Sequence, residues 1–365
     1  MPTYKLSNEK SDLFNFLRWS CALLVVCNHI DMYMSSFSLV NAKSSLFGYI
    51  GMHGHSAVMV FFILSGYLVA YACEKNCMTK ASYKFEDYFL DRWSRIYSVL
   101  LMAIAITAII DIAGSTFSPI YDNPQLIPQD KYIVRLLVNV FSLQGIQGHR
   151  IQFGSNPALW SIGYEFIYYM IFGLFYFRKT LFKQRWLCYV LIVMILIISG
   201  WSIAIYSLIW LMGVFAYYIN KLNYMSFKAN SWAILAGIGV LNHLISYNGI
   251  TNNTIVNDLI FGFFVALLVC LNTKGFIGIS ARSTKFNSFF AEFSYSVYAF
   301  HMPFVFLLCS ILLYAHVETE LIKYAGFLIL VLTLLIAKLL SLVSENKRYF
   351  YRSTAKQVLA LVHSK

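Results

Sequence analysis

The chain has 365 residues, of which 59% are hydrophobic and only 12% charged, and its mean hydropathy is +0.65; soluble domains carry about 25% charged residues. A water-soluble globule, a disordered chain and a secreted disulfide scaffold are excluded. The net charge of +12, from 28 Lys and Arg against 16 Asp and Glu, is first a topology signal and gives no ground to expect a nucleic-acid partner.

Apolar stretches of roughly 15 to 22 residues match a hydrocarbon core of about 30 Å, because a helix rises ~1.5 Å per residue. In chain order they fall at 13–33, 57–72, 96–113, 131–147, 159–177, 186–200, 202–219, 232–246, 258–272, 292–314 and 321–343. The first runs past Arg18 and His29 without a small-residue cleavage site, so it reads as a retained helix and not as a signal peptide. Basic residues concentrate in 73–95 (Lys75, Lys80, Lys84, Arg92, Arg95), in 178–185 (Arg178, Lys179, Lys183, Arg185) and in the tail (Lys347, Arg348, Arg352, Lys356, Lys365). The positive-inside rule puts these in the cytoplasm. Segments 247–257 and 315–320 have no Lys or Arg and 34–56 has only Lys43, so they read as outside.

Segment 114–130 reads as outside and 178–185 as inside, yet two apolar stretches lie between them, so one does not cross. The weaker is 131–147, which contains Lys131, Arg135, Asn139 and Gln144 and suits an interfacial or re-entrant helix. The expected fold is an all-α polytopic membrane protein of about ten transmembrane helices plus that one helix, both termini cytoplasmic. A transmembrane domain over 1–345 precedes a short basic tail over 346–365. The region 114–158 is the longest connection and is expected to carry substrate-facing structure. Five of the seven cysteines lie in apolar segments, while Cys73 and Cys77 flank a cytoplasmic loop; no disulfide is expected.

Ionisable residues at membrane depth cost about 2.5 to 3.5 kcal/mol even on lenient insertion scales, so they usually face an interior or a wet cavity. Arg18 and His29 share the first span eleven residues apart, about 16 Å along the axis and on similar faces. With the N-terminus inside, His29 lies toward the outer side. The bland reading of His29 is a neutral ring bonded to a backbone carbonyl, and of Arg18 a snorkelling or paired cation. Glu165 enters from the outside in ALWSIGYEFIYYM and reaches a similar depth, where a carboxylate could orient the imidazole, or serve in a structural ion pair. Arg92 and Arg95 lie three apart on one helical face and could grip phosphates, or simply anchor topology. Ser65 and Gly66 in FFILSGY point to close helix packing, with no adjacent base to make Ser65 a nucleophile. His301 falls near mid-depth, with packing the expected role. His53 and His55 in the outer loop have no carboxylate or cysteine beside them in sequence, so no metal site is expected.

Five segments in order resemble the acyltransferase-3 family of integral-membrane acyltransferases, and the likeness covers nearly the whole chain. They are Arg18 with His29 at an Arg-x10-His spacing, FFILSGY, RWSR (Arg92 to Arg95), LWSIGYEFIYY with Trp160 and Glu165, and SYSVYAFHMP with Tyr295 and His301. The resemblance implies a multi-pass enzyme of the cytoplasmic (inner) membrane. It would move an acyl group, usually acetyl, from cytoplasmic acyl-coenzyme A to a hydroxyl of a glycan or lipid-linked saccharide, with membrane lipid around it and no metal. On that reading His29 and Glu165 are catalytic, Arg18, Arg92 and Arg95 bind the donor, and Ser65, Trp160, Tyr295 and His301 are substrate-facing or structural. His29 would deprotonate the hydroxyl or carry the acyl group. Only about twenty residues follow the last span, so the soluble SGNH domain of many relatives is not expected. Asp91-Arg92 stands where the family often has Arg-Arg, which bears on the number of phosphate contacts.

The competing reading is a proton-coupled polysaccharide or small-molecule transporter, which ten crossings with buried Arg, His and Glu would also suit. Transporters are expected to show paired Gly- or Pro-broken spans; this chain has six prolines and no such pairing.

Overall fold

The computed structural model describes residues 6–39, 46–149, 151–222, 228–248, 250–274, 281–317 and 319–363; Lys43 and Lys365 lie outside them. The helices, in chain order, are α1 (Asn8–Ser36), α2 (Leu46–Gly51), α3 (Gly54–Thr79), α4 (Phe85–Ser115), α5 (Tyr132–Val140), α6 (Trp160–Tyr176), α7 (Trp186–Ser199) and α8 (Trp201–Lys221). Then come β1 (Lys228–Asn230), α9 (Ser231–Asn248), α10 (Thr254–Cys270), β2 (Asn272–Lys274), α11 (Ala281–Glu292), α12 (Ser294–Tyr314), α13 (Thr319–Val343) and α14 (Arg348–His363). Among the described residues, seven helical stretches are long and apolar enough to cross a membrane, and α7, α9 and α10 are shorter apolar helices. The protein is an all-α polytopic membrane protein whose two short strands pair in parallel, Lys228 opposite Asn272. All seven cysteines are free thiols.

The chain divides into two compact units, one of Met1–Val25, Met52–Tyr83 and Ala204–Ser294, the other of Val26–Gly51, Lys84–Ile203 and Tyr295–Lys365. In the first, α3 and α8 meet backbone to backbone. A Cβ on Gly66 would strike the Trp210 carbonyl oxygen, and one on Gly213 would strike that of Ile63. Trp210 Nε1 donates to Ser65 Oγ at 3.2 Å across the same seam. The FFILSGY segment is therefore a packing surface in which small residues let two helices approach closely. Gly66→Val should cost on the order of 3 kcal/mol or more, since neither backbone can yield without parting the helices. A thermal-unfolding scan in detergent checks this, and an unchanged midpoint would refute the seam.

Two buried charges in this unit have polar partners. Glu74 takes an ion pair from Lys221 and a hydrogen bond from Tyr217 at 2.5 Å. The ammonium of buried Lys10 donates to Asn220, which also accepts from the Tyr67 hydroxyl at 2.9 Å. Each partner removes part of the desolvation cost that a lone buried cation would carry.

In the second unit, α5 is only nine residues long, about 13 Å, and too short to span. After it the chain turns inward: Ser142, Gln144, Ser155 and Asn156 are all at most 1% exposed. Gln147 Nε2 donates to the carbonyls of Ile197 and Ile198 at 3.0 and 2.9 Å. It thus satisfies two of the carbonyls that the C-terminus of α7 leaves open. The Gln147 backbone sits where a Cβ on Gly200 would be, 2.7 Å from its Cα, and Gly200 has φ +90°, so the α7–α8 junction needs glycine on both counts. These polar residues of 131–147 terminate and brace other helices.

The basic tail forms α14, laid along the start of α4. Arg352 donates to Asp91 at 2.5 Å and to Asp87 at 3.2 Å, and Lys356 lies 3.8 Å from Asp87. An apolar cavity of about 450 Å³ lies between the two helices. Asp91, the departure noted beside Arg92, is thus the anchor of the last helix.

The charge distribution predicts sidedness. Single cysteines at Lys80, Lys183 and Lys356, in a background with Cys77→Ser, should stay unlabelled by an impermeant thiol reagent in intact cells, while one at Asn252 labels. External labelling at Lys183 would reverse the assignment for α7 and everything after it.

Candidate active site

Two histidines of the second unit, His29 on α1 and His301 on α12, lie in long helices and their rings meet. His29 Nδ1 is 2.9 Å from His301 Nε2, with ring centres 4.9 Å apart and planes 35° apart. His301 is fully buried and His29 half-buried. On its other side, His301 Nδ1 is 2.7 Å from the Tyr298 carbonyl oxygen and 3.2 Å from that of Val297. On α1, the preceding residue, Asn28, donates to the Gly51 carbonyl at 2.6 Å, which pins α2 to this turn.

Proline explains the irregularity that makes α12 a platform. Pro303 lies inside the helix and has no N–H to give the carbonyl four residues earlier. That carbonyl, Ala299, accepts instead from Asn156 Nδ2 at 3.0 Å. The loop carrying Asn156 is fixed in turn by Asp111, which accepts from Ser155 N at 2.8 Å and from Ser155 Oγ at 2.5 Å. The Tyr298 hydroxyl donates to the Ala158 carbonyl at 3.1 Å. The region 114–158 thus contributes a buttress for α12.

A second cluster surrounds the paired arginines. The Arg92 guanidinium lies over the rings of Tyr88 and Tyr169, 5.9 and 5.7 Å from their centres, and its Nε is buried without a hydrogen-bond partner. Arg95 lies over Tyr295, 5.7 Å from the ring centre, within electrostatic range of Tyr169, Glu345, Glu165 and Tyr295. Glu165 accepts from the Tyr169 hydroxyl at 2.5 Å, and Glu345 accepts from Ser296 N and Oγ at 3.1 and 2.9 Å at the start of α12. The Tyr295 hydroxyl is buried without a partner.

The helix α12 joins the clusters. Tyr295 beneath Arg95 and His301 beside His29 are six residues apart, about 9 Å along the axis. Arg95 over Tyr295, Glu345 bonded to Ser296 and the histidine pair at His301 therefore lie along one helix.

These placements revise the expected roles. The bond shown at His29 Nδ1 goes to His301, so the histidine expected to be packing is its partner. Glu165 accepts from the Tyr169 hydroxyl and lies within electrostatic range of Arg95 and Tyr295. Trp160 opens α6 and packs edge-on against Tyr164 at 5.0 Å. Arg18 and Ser65 belong to the first unit, Arg18 half-buried on α1 and Ser65 in the seam described above. In that unit His55 does have a carboxylate, Asp258 at 2.9 Å, which also accepts from Tyr206 at 2.7 Å. No group of three metal-ligating side chains occurs among the described residues. Tyr169, Glu345 and Asn156 carry no signal as site residues in the sequence; the proline two places after His301 is the one feature that marks an unusual turn of α12.

Residues 12–343 match the family model of the acyltransferase-3 acyltransferase domain. The chain belongs to this family. Among curated proteins it is 28% identical over 179 residues to an acyltransferase, MdmB, of Streptomyces mycarofaciens, covering 47% of this chain and 41% of that protein. It is likewise 28% identical over 167 residues to an O-acetyl transferase of Shigella phage Sf6, covering 45% of this chain and 46% of the relative. The chain thus spans less than half the length of these relatives in each match. No solved structure matches.

Proposed function

We propose that the protein is an O-acetyltransferase of the inner membrane, moving acetyl from cytoplasmic acetyl-coenzyme A to a hydroxyl of a cell-surface or lipid-linked polysaccharide. The observation that carries this reading is the half-buried His29, bonded to His301 on the helix that also passes beneath Arg95. A histidine so held can take the hydroxyl proton, and an arginine over Tyr295, about two turns away on the helix that carries His301, can hold an anion. Family membership and the likeness to the phage O-acetyl transferase support the reaction type.

In this reading Arg92 meets donor phosphates, since its buried Nε has hydrogen-bonding capacity to give. Arg95 balances Glu165 and Glu345 and sets the electrostatics between the phosphate end and the reacting end. His29 deprotonates the acceptor hydroxyl, whose oxygen attacks the thioester carbonyl. Trp160, which opens α6, offers a ring against which a sugar can stack. Membrane lipid surrounds the helices, and no metal is needed for any step.

Purified protein in liposomes with radiolabelled acetyl-coenzyme A tests the proposal. Label should move to a polysaccharide acceptor with equimolar release of free coenzyme. Acceptor crossing the membrane without acetylation would favour a transporter instead.

A further inference from the structure

The hydrogen bonds around His301 fix where its proton sits. A neutral imidazole has one N–H and one bare nitrogen. His301 Nδ1 faces two backbone carbonyl oxygens, at 2.7 Å on Tyr298 and 3.2 Å on Val297. Carbonyls only accept, so the proton is on Nδ1 and Nε2 presents a lone pair. The group 2.9 Å from that lone pair is Nδ1 of His29, which must then be the donor. We propose that His301 is a positioning residue that holds the Nδ1–H of His29, so that the nitrogen exchanging protons with the acceptor hydroxyl is Nε2 of His29. This rests on the acetyl-transfer reading above.

The arrangement survives the catalytic cycle. When Nε2 of His29 gains a proton, the imidazolium keeps its Nδ1–H and the bond to His301 stays intact. His301 supplies orientation and tautomer without changing protonation, the office a buried carboxylate fills beside a catalytic histidine elsewhere. His29 is the reacting member because it is half-buried while His301 is fully enclosed. The step balances. The hydroxyl proton moves to Nε2 as the oxygen bonds to the acetyl carbon. The carbon–sulfur bond breaks with its electron pair on sulfur, and the thiolate takes the proton from Nε2 and departs as free coenzyme thiol.

The frame holding the carbonyl pair is unusually complete. Pro303 leaves Ala299 to Asn156, and Tyr298 is tied to Ala158 and, at 2.5 Å, to the Ser161 hydroxyl. The turn of α12 that presents the carbonyls to His301 is thus braced from outside the helix at the Ala299 carbonyl and at the Tyr298 side chain.

Two substitutions separate this role from packing. His301→Phe keeps a ring of similar size and removes the acceptor; His301→Gln restores an acceptor oxygen. The phenylalanine variant should lose roughly 10²-fold or more in kcat while its KM for acetyl-coenzyme A stays within about twofold. The glutamine variant should recover at least about tenfold of that loss, which a merely structural role would not produce. Solid-state 15N spectra of histidine-labelled wild-type protein in bilayers read the tautomers without any activity. His301 should show a protonated Nδ1 and a bare Nε2, and the His29 Nδ1–H signal should shift in His301→Gln. Equal kcat in wild type, Phe and Gln variants, or a proton on His301 Nε2, would overturn the proposal. If the phenylalanine variant does not fold, the glutamine kinetics and the spectra decide it. Wild-type protein with the expected spectra but no acetyl transfer would uphold the tautomer pair and remove the proposed activity alone.

Discussion

Replacing His29 by alanine should abolish detectable acetyl transfer while leaving the protein folded in the membrane. A positioned base contributes about 10² to 10⁴ in rate. His301 is a poor substitute even though losing His29 leaves its Nε2 without that partner, because its ring is fully enclosed and its Nδ1 faces the carbonyls of Val297 and Tyr298. The fold should tolerate the loss, since the α1 turn is separately pinned by Asn28 on Gly51. Initial rates with radiolabelled acetyl-coenzyme A, beside thermal unfolding of the same sample, check both halves. A well-folded His29→Ala protein with normal turnover would remove His29 from the chemistry.

The second large effect is expected at Arg92. Its guanidinium is positioned by two tyrosine rings but keeps a buried Nε without a partner, so its binding capacity is available to a ligand. Arg92→Ala should raise the KM for acetyl-coenzyme A roughly 10- to 100-fold, the range for one or two charge-assisted hydrogen bonds, with little change in saturated turnover. Arg95→Ala should behave differently: with two carboxylates near it, its loss should lower stability as well as affinity. Measuring KM and unfolding midpoint for both variants separates them. An unchanged KM in Arg92→Ala would return that residue to topological anchoring.

The helices were legible because each needs a long apolar run, and charge counting alone identified 131–147 as the stretch that would not cross. Composition could not show what its polar residues do, since Gln147 capping α7 and Ser142 near Tyr97 are contacts across the chain. The sequence offered candidate residues, but not which of them pair. Depth arithmetic placed Glu165 near His29, yet rotation about each helix decides which side chains meet. That rotation brings His301 against His29 and the Tyr169 hydroxyl against Glu165. Arg352 reaching Asp91 was equally hidden, because a basic tail gives no sign of where its helix will lie.

The most direct test of the account is the mass of the surface polysaccharide from a host lacking the gene, complemented with wild-type protein or with His29→Ala. The account predicts repeat units heavier by one acetyl group with the wild type and unmodified repeats with the variant at equal expression. Identical polysaccharide masses in both strains, with coenzyme release unaffected by the substitution, would contradict it.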